Sequence, residues 1–220
     1  MQHSNVATAR RESALSTNKV LRNTYWLLGM TLAFSAVMAF TSMALNLPHP
    51  GLIITLVGFY GLLFLTHKTA NSGAGIVSVF ALTGFMGYTL GPILSLYLGA
   101  GMGDLVMMAL GGTALIFFSL SAYVLSTGKD MSFLGGMMMA GFWVILALFV
   151  ANLFLDVPML HLALSGLFIL FASGAILMQT SAIIHGGERN YILATVTLFV
   201  SIYNLFISLL NILTALSGDD

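Results

Sequence analysis

The stretch 191–213, YILATVTLFVSIYNLFISLLNIL, carries no charge over its whole length. A helix of that length rises roughly 30–35 Å at ~1.5 Å per residue, enough to cross the ~30 Å hydrocarbon layer of a bilayer. It lacks the period-2 alternation of a barrel strand. In lipid the backbone polar groups must pair within the segment, so the stretch predicts a helix. Its polar residues Thr197, Ser201, Asn204, Ser208 and Asn211 recur at spacings of 4, 3, 4 and 3, which is one helical face. Unpaired polar groups in hydrocarbon cost several kcal/mol, so this stripe is expected to look inward, with the last helix central in its bundle. Such a face serves as packing glue at close crossings or lines a polar path.

Working outward, six more uncharged apolar runs precede it, at 23–47, 51–66, 74–98, 105–125, 133–155 and 159–184. The second is short for a crossing unless Pro50 and His67 belong to it. The expected fold is an all-α integral membrane protein, a seven-transmembrane-helix bundle. Composition agrees: of 220 residues 59% are hydrophobic and 6% charged, where a soluble domain carries about 25% charged residues. Seven basic and seven acidic residues cancel, so the charge does not point to nucleic acid or a polyanionic substrate. The partner that composition does name is the lipid bilayer. With no cysteine there is no disulfide framework or thiolate metal site. Breakers such as Pro48-His49-Pro50, Asn71-Ser72-Gly73 and 185–190 separate the runs and leave room only for tight hairpins. The two halves show no convincing self-similarity, so an inverted repeat is not supported.

Lys and Arg beside a span are held on the cytoplasmic side. Arg10, Arg11, Lys19 and Arg22 precede the first span, Lys68 follows the second, Lys129 the fourth and Arg189 the sixth. The opposite side holds Asp104, Asp156, Asp219 and Asp220. The expectation is an odd number of spans with the amino terminus cytoplasmic and the carboxyl terminus outside. Three regions follow: an unordered cytoplasmic tail at 1–18, a membrane domain at 19–214 and a short acidic outer tail at 215–220. The first run is too long for a signal peptide's core and has no small-x-small cleavage site, so it reads as a signal anchor. Arg10-Arg11 alone does not make a twin-arginine signal.

No candidate for catalysis or metal binding survives. Gly101-Met102-Gly103-Asp104 matches the Gly-x-Gly-Asp string of intramembrane aspartyl proteases, whose chemistry needs a second carboxylate. No other Asp or Glu lies inside a span, and a Gly-rich turn ending in a helix N-cap explains Asp104. There is no Gly-x-Ser-x-Gly. His3, His49, His67, His161 and His185 are scattered over loops and span ends without an i, i+4 pair suited to a metal. The chain therefore reads as a non-enzyme without cofactor. Gly136-x-x-x-Ala140 in the fifth run is expected at a close helix crossing, and Gly91-Pro92 is expected to kink or interrupt the third helix.

Around that kink, Gly87-Tyr88-Thr89-Leu90-Gly91-Pro92-Ile93-Leu94, followed by Ala109-Leu110-Gly111-Gly112-Thr113-Ala114-Leu115-Ile116-Phe117, resembles the signature of the Bax inhibitor-1 family. Further matching stretches are 19–25, 129–136 and 184–188, and the resemblance runs from about 15 to 213. Its signature and kink positions are Gly87, Gly91, Pro92, Thr113, Ala114 and Phe117. The resemblance implies a seven-helix bundle with a central last helix, and two functional branches. In one, a pH-gated calcium leak uses an aspartate near the cytoplasmic end of the sixth helix and another in the seventh. Those positions here are Gln179 and Ser201, so neither hard anionic ligands nor a titrating group is present. The resemblance leaves them as a pH-independent hydrogen-bonded latch. The other branch, which the chain resembles more closely, implies a bacterial inner-membrane regulator. Such a protein binds and restrains an FtsH-type membrane protease and its associated membrane proteins, and so limits turnover of membrane substrates.

Overall fold

A computed structural model describes residues 2–155 and 157–218; the side chains of 2–18 and of Pro158 lie outside the description. Among the described residues there are seven helices and no strand: α1 (Gln2–Ala44), α2 (Leu52–Thr69), α3 (Ala74–Gly99), α4 (Gly103–Thr127), α5 (Leu134–Leu155), α6 (Pro158–Ile184) and α7 (Tyr191–Ser217). All seven contain segments long and apolar enough to cross a membrane, the first over Lys19–Ala44. The helix bounds of α1 reach back to Gln2 through the segment expected as an unordered tail. That segment holds no Gly or Pro to stop a helix. The expected outer tail at 215–220 ends on Asp219 and Asp220, which lie outside the described residues.

α2 runs from Leu52 to Thr69, taking in His67 and leaving out Pro50. Pro92 sits inside α3, which is not interrupted there. This corrects one half of the expectation at Gly91-Pro92: the loss of a single N–H is tolerated because the helix is continuous on both sides. Gly51, Gly101, Gly128 and Gly186 take positive φ in the turns. Gly128, at φ 62°, ends α4 with its N–H donating to the Val124 carbonyl at 2.9 Å.

The chain divides into two compact units. The first comprises Met1–Gly101 with Ile183–Phe199, so that α1, α2 and α3 are joined by the first part of α7. Its core is the pairing of α1 with α3. Gly84, Gly87 and Gly91 lie on one face of α3 at spacings of 3 and 4, against Phe34, Ser35, Ala39 and Ser42 of α1. A Cβ on Gly87 would overlap the Ser35 backbone carbonyl, and one on Gly91 would stand 2.6 Å from the Ala39 carbonyl oxygen. The approach of small residues gives dispersion contact where lipid offers no hydrophobic drive. Of the hydroxyls buried here, Thr31 donates to Leu28 O at 3.0 Å and Thr89 to Met86 O at 2.8 Å, whereas Ser42 Oγ has no hydrogen-bond partner.

The second unit comprises Met102–Ala182 with Val200–Asp220. Here α5 and α6 interlock. A Cβ on Gly174 would meet Met138 Sδ at 2.6 Å, one on Gly141 the Phe171 ring at 3.5 Å, and one on Gly135 the Met178 methyl at 3.8 Å. The close crossing therefore does not use Gly136-x-x-x-Ala140: Gly136 and Ala140 are exposed, and a Cβ on Gly136 would meet nothing within 4 Å. Spacing alone found a small-residue pair, while the bulky Met138 and Phe171 that seat on glycines of the opposite helix decide which face packs.

Candidate functional site

α7 is the most buried of the seven membrane-length segments, at 56%, against 6% for α2 and α5. On it, Ser201 and Ser208 are buried, Asn204 and Asn211 are half-buried, and Thr197 is exposed, donating to Leu193 O at 3.2 Å. Thr197 therefore departs from the inward face assigned to the stripe. An i−4 carbonyl supplies its partner locally, so a threonine can face lipid at little cost. Thr195, outside the stripe, is fully buried instead, with its hydroxyl 2.7 Å from Tyr191 O and 3.3 Å from Thr24 O. Gln179 is half-buried, and its amide Nε2 has no hydrogen-bond partner. That nitrogen therefore does not donate to Ser201.

The signature residues are mainly packing residues. Gly87 and Gly91 admit α1; Thr113 is buried with its hydroxyl on Ala109 O at 2.7 Å; Phe117 is buried; Pro92 is half-buried; Ala114 is exposed. Asp104 lies in the first turn of α4, one residue past its start, and the cap position is Met102 with no side-chain cap bond. It is therefore not the N-cap expected from the turn. Its carboxylate sits where the helix dipole favours negative charge.

The densest polar arrangement is one that sequence reasoning did not single out. Asn190 precedes α7, and its Oδ1 accepts the N–H groups of Ile192 at 2.9 Å and Leu193 at 3.2 Å. Two of the unpaired donors of the helix start are thereby satisfied. Its Nδ2 donates to Ala70 O at 3.0 Å and Asn71 Oδ1 at 2.9 Å, and its own N–H donates to Glu188 Oε1 at 2.7 Å. One side chain thus ties the α6–α7 hairpin to the α2–α3 hairpin, both in the first unit. Asn before an apolar run is a helix-start signal, but its second set of partners lies 119 and 120 residues away in the chain, beyond any local pattern.

In the second unit Ser181 of α6 does similar work. Its Oγ accepts the Met131 N–H at 2.9 Å and lies 3.4 Å from Lys129 O, holding down the α4–α5 hairpin. In that hairpin Asp130 Oδ1 accepts the Ser132 N–H at 2.8 Å, and Lys129 Nζ donates to Tyr123 OH at 3.2 Å. The hairpins that carry or adjoin Lys68, Lys129 and Arg189 are therefore short and pinned. Among the described residues no group of three or more His, Asp or Glu is placed to hold a metal ion.

Known proteins resemble the chain along nearly its whole length. An Escherichia coli K12 protein named Modulator of FtsH protease YccA is 68% identical over 209 residues, 95% of each chain. Its counterpart in Escherichia coli O6:H1, named Inner membrane protein YccA, gives the same figures. An uncharacterized protein of Pasteurella multocida is 62% identical over 215 residues, 98% of each chain. The family described as Inhibitor of apoptosis-promoting Bax1 matches residues 17–218, and with the signature glycines at the α1–α3 contact the chain belongs to that family.

Proposed function

We propose that this chain is a multi-pass inner-membrane regulator that acts by contact on an FtsH-type membrane protease and restrains turnover of membrane substrates, itself performing no chemistry. The observation that carries the reading is the 68% identity, over 95% of both chains, to a relative named as modulator of that protease. The chain's own residues support it. Asp104 is the only acidic residue in or at the edge of an apolar run that has a catalytic motif, and no second carboxylate lies within a span. The positions where the leak branch carries aspartates hold Gln179 and Ser201. The one-sided Lys and Arg support a cytoplasmic amino terminus and an outer carboxyl terminus.

Protease contact has a natural starting point. An ATP-driven protease engages a segment long enough to reach its pore, and the hairpins after α2, α4 and α6 are short and hydrogen-bonded down. Segment 1–18, helical from Gln2, has the reach once unwound, up to ~60 Å if extended at ~3.3 Å per residue. On this reading it is the handle, and the packed helices beyond it resist extraction, so that a gripped chain occupies the protease.

The test is co-purification of the full chain with the protease from membranes, together with the half-life of a membrane substrate of that protease. Raised levels of the chain should lengthen the substrate's half-life, and the protease should co-purify. Absence of both overturns the proposal. Deleting 1–16 while keeping Lys19 and Arg22 should preserve insertion and lengthen the chain's own half-life; unchanged turnover removes the handle but not the contact. Reporters after Lys68, Lys129 and Arg189 should all read cytoplasm, and one after Asp156 should not.

A further inference from the structure

The outer face of α1 carries a groove lined by Arg22, Tyr25, Trp26, Gly29, Met30 and Ala33, with a volume of about 580 Å³. Its floor is made by small residues: a Cβ on Gly29 would meet nothing within 4 Å, and Ala33 is exposed. Trp26, 70% exposed, and Met30 stand beside it as walls. Arg22, Trp26, Gly29 and Ala33 follow one another at i, i+4, i+7 and i+11, a single stripe along the helix. One step further the small floor ends, because Val37 and Phe40 continue the stripe with exposed bulky side chains.

Two features say what fits. The first is length: Arg22 to Ala33 is a rise of ~16 Å at ~1.5 Å per residue, about half of the ~30 Å hydrocarbon layer. A partner helix would need the groove to continue across the other half, where Val37 and Phe40 close it. A single acyl chain of one leaflet needs only this half. The second is charge. Arg22 is an exposed guanidinium at the head of the groove, no acidic residue lies within a turn of it in sequence, and among the described residues no carboxylate pairs with it. Beside it the exposed Trp26 is the kind of amphipathic aromatic that sits at headgroup level. A phosphate offers the acceptor that this planar donor fork matches.

We propose that this groove on α1 binds one anionic phospholipid of the leaflet on the Arg22 side, with its phosphate on the Arg22 guanidinium and an acyl chain lying over Gly29 and Ala33. The site is separate from the helix pairing of the first unit, which uses the opposite face of α1 through Ser35, Ala39 and Ser42.

The test is native mass spectrometry of the full-length chain released from detergent with phosphatidylglycerol or with phosphatidylcholine of the same acyl chains. The unmodified chain should retain phosphatidylglycerol about fivefold more than phosphatidylcholine, the ratio expected for one interfacial charge. Arg22→Gln should bring the two lipids to parity. Gly29→Leu fills the floor into open space and should lower retention of both lipids several-fold; Ala33→Leu does the same one turn on, in case the first variant is poorly produced. Circular dichroism and elution volume of the variants should match the unmodified chain. Equal retention of the two lipids by the unmodified chain, or variants that keep its preference and its retention, would overturn the proposal. So would a dimer mass that Gly29→Leu dissociates, since the occupant would then be a second copy.

Discussion

Replacing Gly87 by alanine puts a methyl group where the Ser35 backbone carbonyl of α1 already lies, with the Ser35 carbonyl carbon and Cα both at 2.9 Å from the new Cβ. All three atoms are main chain, so no rotamer change relieves the overlap, and α1 must move away from α3 by a substantial part of an ångström. A gap of 0.5–1 Å forfeits about a quarter to a half of each dispersion contact along the interface. Overpacking of this kind costs about 1–3 kcal/mol. Alanine also favours the helix over glycine by up to about 1 kcal/mol, which would mask part of the loss in a single measurement. Gly111→Ala removes that ambiguity, because a Cβ there meets nothing within 4 Å and the change carries the same propensity gain. In the difference between the two variants the gain cancels, leaving about 1–3 kcal/mol, or roughly fivefold to more than a hundredfold in the folded-to-unfolded ratio. The assay is reversible unfolding in mixed micelles titrated with a denaturing detergent. Adding Ser35→Ala should not rescue Gly87→Ala, since the obstructing atoms are backbone. If Gly87→Ala unfolds within about 0.5 kcal/mol of Gly111→Ala, the spread of an inconsequential surface change, the close α1–α3 approach is not a determinant of stability.

Asn190→Ala should destabilise by about 1–2 kcal/mol through loss of the α7 cap and should speed hydrogen exchange at the Ile192 and Leu193 amides; unchanged exchange there would show that another group caps the helix. Ser181→Ala strands the buried Met131 N–H and should cost about 1–3 kcal/mol, whereas Ser165→Ala, whose hydroxyl bonds only to its own helix at His161 O, should be close to neutral in the same unfolding assay. Reconstituted in vesicles, the chain should pass calcium at background rate from mildly acidic to neutral pH, because the side chains at Gln179 and Ser201 have no proton to exchange in that range; a clear pH-dependent flux would contradict this.

The fold was legible because lipid leaves few alternatives to a long uncharged run. The runs at 74–98, 133–155 and 159–184 agree with α3, α5 and α6 to within a residue at either end. Apart from α1, which stops at Ala44 short of the run's end at 47, the ends that moved by more than a residue did so where a polar residue was taken as a stop. α2 continues through His67 and Lys68 to Thr69, and α7 passes Leu213 to reach Ser217. A backbone at the interface keeps its hydrogen bonds past the last apolar side chain, so charge marks the edge of the hydrocarbon and not the end of a helix. The candidate site was less legible. Ser201 and Ser208 are buried, as one expects of a stripe turned inward, yet Thr197 faces outward on the same stripe and Thr195 is buried off it. A face is defined by periodicity, but burial depends on which neighbour is near each turn. Asn190 and Ser181 were invisible for a related reason: their partners are 50 to 120 residues distant, and one-dimensional spacing contains no sign of them.

The Asn190 node also sets a time order on biogenesis. Its acceptors Ala70 and Asn71 are synthesised about 120 residues before it, which at ~5–20 residues per second is an interval of roughly 6–24 s. Through that interval α1, α2 and α3 stand in the bilayer without the part of α7 that completes their unit. The hairpin between α2 and α3 meanwhile satisfies its Ala70 carbonyl with water. A ribosome that stalls before the last helix therefore leaves an open, incompletely bonded intermediate at the membrane surface, while one that finishes closes the unit with a single asparagine.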